Sequence, residues 1–171
     1  MLALFFVLLG CQSNQYNQKV NELVREGNLL IEKDAVITNE WKTEFVKVFT
    51  PENRAKFPSN RETLRSHAEN QIRLLEQQEA LRNSAANKFE QASEISNNEK
   101  EKKFTSLFAA SFRKDIEISR LFKEQMKLVL DDNIKDLKTF EMKFEELAQI
   151  AETKIRERDE LQSEGKRVLG K

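Results

Sequence analysis

The side chains that most often carry out catalysis or bind metals are scarce in this chain. It has one histidine, His67, and one cysteine, Cys11. A structural zinc site needs about four Cys or His ligands, and a di-iron site in a helical bundle needs paired Glu-x-x-His units. The residue three before His67 is Leu64, so the residues for neither centre are present. The sequence therefore predicts no metal site and no cofactor.

Nucleophilic and acid–base catalysis have equally little support. Ser66 directly precedes His67, but neighbouring positions on a helix do not face each other. Adjacent carboxylates such as Glu145 and Glu146 are common on the charged faces of helices. A phosphate-binding loop rich in glycine does not occur in the sequence. We therefore predict that the protein is not an enzyme.

Cys11 closes an apolar run that covers residues 2–9. The run is shorter than the roughly 20 apolar residues that a membrane-spanning helix needs, and its length is typical of a signal peptide. Its last residues, Leu8-Leu9-Gly10-Cys11, resemble the lipobox of bacterial lipoproteins, with a Leu three before the Cys and a small residue directly before it. The resemblance implies that residues 1–10 are a signal peptide and that Cys11 is lipidated.

The resemblance also implies a location. Residues 11–16 would be a lipidated N-terminus and a short tether, and two or more acyl chains hold a protein on a membrane at about 0.8 kcal/mol per buried methylene. In a host with two membranes, Gln12 at the second mature position implies the outer membrane, facing the periplasm, because inner-membrane retention in this family is associated with Asp. No Lys or Arg precedes the apolar run, which departs from the usual start of a signal peptide. The alternative is a buried N-terminal strand or helix with an ordinary core cysteine.

The composition predicts long helices and a neutral surface. Of 171 residues, 34% are charged, and only 4 are Gly and 2 are Pro. So few turn-forming residues favour long helices joined by few turns. Lys and Arg number 29, as do Asp and Glu. This balance argues against a nucleic-acid partner, because such binding depends on a basic surface.

The spacing of apolar residues predicts an all-α fold. Apolar side chains recur at steps of three and four from about residue 17 to 165, which is typical of amphipathic helices. Thr50-Pro51, Pro58 and possible capping boxes that begin at Ser59 and Ser96 interrupt the pattern. The predicted helices are about 17–49, 60–95, 99–130 and 133–165, with one short helical turn in 51–57 and a tail at 166–171.

The segment Asp131-Asp132-Asn133 decides how many long helices there are. As a turn it gives an elongated antiparallel bundle or coiled coil of four helices. As a polar step within one helix it gives three, and a single helix over 99–165 would be roughly 100 Å long. We favour four helices, because the far half of such a long helix would expose apolar side chains such as Phe140 and Phe144.

Two features stand out on the apolar stripe of the first predicted helix, about 17–49. Gly27 and Asp34 fall among its apolar residues and weaken it locally. Trp41 and Phe45 lie on the same stripe, next to the turn at Thr50. They are candidates for contact with a partner, since Trp is common in binding anchors, and core packing is the alternative.

An anchor and a helical rod indicate a non-enzymatic function. We expect a lipid-tethered helical protein of the bacterial cell envelope that acts as a spacer or as a binding module for another envelope component. In layout it loosely resembles the cell-wall-binding helical lipoproteins, which implies an envelope protein or the cell wall as partner. One alternative is a bundle that holds a small apolar ligand in its core, either lipid or a haem bound by His67 with Met126 or Met142. Self-association of two chains is another.

Overall fold

The computed structural model describes residues 15–170 of the chain. These residues form five helices and no strand, so the prediction of an all-α fold is confirmed. The helices are α1 (Gln15–Val48), α2 (Pro51–Ala55), α3 (Arg61–Ile95), α4 (Glu99–Leu130) and α5 (Leu137–Val168). Four of them contain 32 to 35 residues, whereas α2 contains 5. Cys11 and the predicted signal peptide lie outside the described residues.

Short polar side chains begin three of the helices. Thr50 caps α2, since its hydroxyl accepts a hydrogen bond from the backbone N–H of Asn53 at 3.1 Å, and Pro51 occupies the first helical position. The side-chain oxygen of Asn98 caps α4 by accepting from two backbone N–H groups. Asp136 caps α5 by accepting from the backbone N–H of Thr139 at 2.9 Å. Each cap satisfies donors that have no partner within their own helix.

The two predicted capping boxes do not form. The hydroxyl of Ser59 donates to the carbonyl oxygen of Lys56, and α3 begins after Asn60, whose side chain makes no cap bond. Ser96 bonds to Asn98 and Glu101 within the turn. Asn98 takes the cap position instead, because its backbone is extended there and its side chain reaches two N–H groups at once.

The chain turns between α4 and α5. The carboxylate of Asp131 accepts from the backbone N–H of Asn133 at 2.9 Å, and Ile134 is buried beneath the turn. The alternative of one continuous helix over 99–165 is therefore wrong. The helix after the turn begins at Leu137 rather than near 133 and runs to Val168, so the first half of the predicted tail, 166–168, is helical.

The long helices pack in chain order. Helix α1 packs on α3, α3 on α4 and α4 on α5. Members of each pair run in opposite directions: Glu26 pairs with Lys88, for example, while the later α1 residue Asp34 pairs with the earlier α3 residue Arg82. Among the described helices, α1 and α5 do not form a closely packed pair.

The core consists of apolar clusters arranged along the helices. One end contains phenylalanines from several elements, and the rings of Phe57 and Phe140 stack there with centroids 4.2 Å apart. A second cluster surrounds Phe89 nearer the other end. A third contains Trp41 with Leu74 and Leu75. Side chains of α1 and α5 therefore share a core even though their backbones do not pack closely.

Candidate functional site

A layer of charged side chains interrupts the apolar core. On α1, Ile31 packs on the cluster around Phe89 and Ile37 on the cluster around Trp41, and Asp34 lies between them. Each long helix contributes one charged residue, and the four form what we call the charged layer: Asp34, Arg82, Asp115 and Arg158. Their side chains are 16%, 11%, 12% and 25% exposed, respectively. Ion pairs buried to this degree are uncommon, because taking charges out of water is unfavourable.

Hydrogen bonds connect the charged layer across all four long helices. Arg82 donates from Nε to Asp34 Oδ2 at 3.1 Å and from Nη1 to the backbone carbonyl oxygen of Asp115 at 3.1 Å. Its Nη1 and Nη2 also donate to the hydroxyls of Ser119 and Thr38. Arg158 Nη1 donates to Asp115 Oδ1 at 2.8 Å. Arg82 therefore holds α1 and α4 to α3, and Asp115 holds α5 to α4.

Burial dominates the electrostatics of the two carboxylates. It raises the pKa of Asp34, and the attraction of Arg82 offsets only part of that effect. Burial likewise raises the pKa of Asp115, against the attraction of Arg82 and Arg158. Asp34 Oδ1 is buried and has no hydrogen-bond partner among the described residues. The charged layer is thus only partly satisfied within the protein.

A groove of about 480 Å³ opens beside the charged layer. This volume falls in the range of roughly 300–1,000 Å³ that is usual for ligand sites. The buried rings of Phe108 and Phe112 lie at its base, together with Arg82 and Asp115. Helix α1 lines one side with Asn28, Ile31, Glu32, Asp34, Ala35, Thr38, Asn39 and Lys42, and α5 lines the other with Arg158, Gln162 and Lys166.

The three interfaces between closely packed helices, α1 with α3, α3 with α4 and α4 with α5, are called the packed seams. The groove differs from them in how its charges are paired. Cross-helix ion pairs join α1 to α3, α3 to α4 and α4 to α5 at 2.6 to 2.8 Å, as in Glu26–Lys88, Glu79–Lys123 and Glu164–Lys103. Across the described part of the chain, no ion pair joins α1 to α5. The charged groups of the groove that have no ion-pair partner within residues 15–170 are Glu32, Lys42 and Lys166. The side-chain amides of Asn28, Asn39 and Gln162 likewise make no hydrogen bond there.

The structure places Trp41 and Phe45 away from the groove. Trp41 is 6% exposed, and its ring lies 5.3 Å from the ring of Phe45 and 4.8 Å from that of Phe122. The geometry favours core packing for both residues. Their contact with a partner stays a prediction and would require Trp41 to leave the core.

His67 lies near the surface rather than in a cofactor pocket. Its Nδ1 is 3.0 Å from a carboxylate oxygen of Glu44. Met126 is fully buried in an apolar cluster, and Met142 is 61% exposed on the outside of α5. Within residues 15–170, no group of three or more His, Cys, Asp or Glu side chains is placed to hold a metal ion.

The spacing of charges along the apolar stripes contains a signal for the charged layer. Taken alone, Asp34 only weakens the apolar stripe of the first helix. The other three members occupy equivalent positions: Arg82 lies seven residues after Leu75, Asp115 three after Phe112, and Arg158 three after Ile155. One charge on each stripe, alternating in sign from helix to helix, is a pattern that predicts a shared ionic layer.

Comparison with models of protein families, with characterised proteins and with solved structures finds no match for this chain. None of the helices in residues 15–170 combines the length and apolar character that crossing a membrane requires.

Proposed function

We propose that the protein is a non-enzymatic, lipid-anchored helical protein of the bacterial cell envelope that binds another envelope component through the groove between α1 and α5. In this proposal Cys11 carries the lipid, and residues 12–14 link it to α1, which begins at Gln15. The four long helices act as one elongated antiparallel bundle, and α2 serves as a connector between α1 and α3. The lipobox-like residues support the anchor, and the groove supports the binding role.

The observation that carries the binding role is the contrast between the groove and the packed seams. A simple spacer has no need of an open seam, and it gains from cross-helix ion pairs on every side. Here three seams have such pairs, while Glu32, Lys42 and Lys166 in the groove are left unpaired. The apolar part of a lipid or a haem fits this groove poorly, because it would cover charges without pairing them.

The anchor is tested by metabolic labelling with a fatty-acid analogue in the native host. We expect the protein to carry the label and to sediment with the membranes. Cys11→Ser should lose the label and move to the soluble fraction, whereas Ser13→Ala serves as the control and should behave like the natural chain. A wild-type protein that stays unlabelled and soluble would contradict the proposed anchor.

The binding role is tested by crosslinking in intact cells. A photo-reactive amino acid is placed at Asn39 in the groove, and in a matched strain at Lys33, which is exposed on the same helix outside the groove. We expect position 39 to capture one defined envelope component that position 33 does not. Equal capture from the two positions, or no capture from either, would count against the groove as the binding surface.

A further inference from the structure

We infer that the groove between α1 and α5 binds a short extended peptide that carries both a cationic and an anionic group. The inference rests on the proposed function, because it names the chemistry of the ligand for the proposed binding surface. Four observations carry it: the volume of the groove, its unpaired charges, the arrangement of those charges along its length, and its free amide groups.

The register of the helices gives the order of the charges. Each consecutive pair of long helices is antiparallel, so α1 and α5 are antiparallel to each other. Arg158 lies at the level of Asp34, because the charged layer connects them. Lys166 is eight residues further along α5, or about 12 Å at about 1.5 Å per residue, toward the Asn28 end of the groove.

Lys42 lies at the opposite end. It is eight residues beyond Asp34 on α1, which is again about 12 Å from the charged layer. Glu32 and Asp34 lie between the two lysines, together with Arg158. The unpaired charges of the groove are therefore a cation near each end and one carboxylate, Glu32, nearer its middle, over a length of roughly 24 Å, while the charges of the charged layer pair with one another.

This order of charges selects a ligand of mixed charge. A ligand with only anionic groups would meet Glu32 and Asp34, and a ligand with only cationic groups would meet Lys42 and Lys166. A peptide with an ammonium group toward its centre and carboxylates toward its ends would place an opposite charge at each unpaired group of the groove. The preferred pairings are an ammonium with Glu32 and carboxylates with Lys42 and Lys166.

The free amides fit a peptide backbone. Asn28, Asn39 and Gln162 each offer a carbonyl acceptor and an N–H donor, as does every peptide unit. An extended peptide of about six residues spans roughly 20 Å, which matches the spacing between the two lysines. The rings at the base are buried, so polar contacts along the two helices supply the specificity.

The inference is tested by isothermal titration of the full chain, purified in detergent, with an alanine-based hexapeptide. The peptide contains a central lysine, an N-terminal glutamate with an acetylated amine, and a free C-terminal carboxylate. We expect saturable binding. A matched hexapeptide with the lysine acetylated and both carboxyl groups amidated should bind at least tenfold more weakly. Equal affinity of the two peptides, or no binding of the charged one, would overturn the inference.

Matched variants locate the binding site. Glu32→Gln and Lys42→Gln should each weaken binding of the charged peptide at least fivefold. Glu40→Gln and Lys33→Gln remove the same charges from exposed positions on the same helix outside the groove and should stay within twofold of wild type. Circular dichroism should show unchanged helix content in all four. Equal losses in groove and control variants would overturn the assignment.

The outcomes separate this inference from the proposed function. If crosslinking from position 39 captures an envelope component but the charged peptide does not bind, the ligand class is wrong and the binding role stands. If the peptide binds at the groove but the protein is neither lipidated nor attached to the membrane, the site stands and the proposed envelope function is wrong.

Discussion

Gly27 illustrates how a single residue depends on what packs against it. A Cβ atom at this position would lie 2.7 Å from Cε2 of Phe89, whose ring is fully buried. Gly165 on α5 is in a similar position against Phe108, at 2.9 Å. From the sequence, Gly27 is a weak point of the stripe, because it interrupts a run of apolar side chains. A glycine fits this position because the Phe89 ring on α3 leaves no room for a side chain. The sequence around Gly27 gives no sign of that contact.

We expect Gly27→Ala to destabilise the protein. The substitution gains up to about 1 kcal/mol of helix propensity. Overpacking against the Phe89 ring costs about 1–3 kcal/mol, so the net change is a loss. Urea unfolding followed by circular dichroism measures the difference, and Asn21→Ala at an exposed position of α1 is the control that should gain stability.

A second substitution tests the cause of that loss. Phe89→Leu removes the ring atoms that the new methyl group would meet. Gly27→Ala should therefore be less damaging in the Phe89→Leu background than in the natural chain. Equal effects of Gly27→Ala in both backgrounds would show that the ring is not responsible.

Arg82 and Arg113 are both arginines that connect α3 and α4, and they should differ strongly in importance. Arg82 is 11% exposed and hydrogen-bonded to two other helices, α1 and α4, whereas Arg113 is 39% exposed and pairs with Glu90 at 2.8 Å. Removing one partner of a buried ion pair leaves an uncompensated charge and costs about 3–5 kcal/mol. An exposed pair is worth about 0–1 kcal/mol.

We therefore expect Arg82→Gln to lower the free energy of unfolding by about 3–5 kcal/mol, and Arg113→Gln to lower it by less than about 1 kcal/mol. Urea titration of both variants provides the comparison. Similar losses in the two would mean that the charged layer adds no more stability than a surface ion pair.

At the scale of the elements, strong local signals predict the helices better than weak ones do. The cap at Thr50 with Pro51 was predicted and is present, because proline restricts the backbone wherever it stands. The boxes at Ser59 and Ser96 were predicted and are absent. Their spacing is compatible with several neighbouring start positions, and Asn98 competes successfully for one of them. Local sequence thus specifies that a helix starts near such a motif but not at which residue.

The cap of α5 provides a prediction for an element. Asp136 accepts hydrogen bonds from both the backbone N–H and the hydroxyl of Thr139. Asp136→Ala should lower the free energy of unfolding by about 1 kcal/mol, because the first turn of α5 loses these acceptors. Asp136→Asn keeps a capping oxygen and should lose only a few tenths of a kcal/mol. Chemical denaturation measures both, and equal losses would show that the cap contributes little.

At the scale of the whole molecule, the open seam between α1 and α5 is the feature that is hardest to predict from the sequence. The stripe positions of Asp34, Arg82, Asp115 and Arg158 can be found from the sequence alone. Which two of the four long helices lie at the edges depends on how all of them arrange around a common core. The groove exists only through that arrangement, so residues such as Asn39 and Lys42 look like ordinary exposed positions in the sequence.

The pH dependence of stability tests the electrostatics of the assembled molecule. Burial raises the pKa of Asp34 in the folded state, so the folded protein takes up this proton before the unfolded chain does as the pH falls. Protonation of Asp34 therefore adds stability between neutral pH and the ordinary Asp pKa of 3.8. Asp34→Asn removes this contribution. The stability of wild type minus that of Asp34→Asn should thus increase on acidification.

Glu44 provides a control of opposite sign. Burial alone would raise the pKa of Glu44, but hydrogen bonds from His67 and Asn70 outweigh it and lower the pKa below the ordinary value of 4.5. Stability from Glu44 is therefore present above pH 4.5 and is lost as the pH falls through the lowered pKa. The free energy of unfolding of wild type minus that of Glu44→Gln should therefore decrease as the pH falls below 4.5. Urea unfolding of the three proteins from neutral to acidic pH measures both differences. If both decreased together toward acid, burial would not dominate the charged layer, and Arg82 would instead hold Asp34 as an ordinary stabilising ion pair.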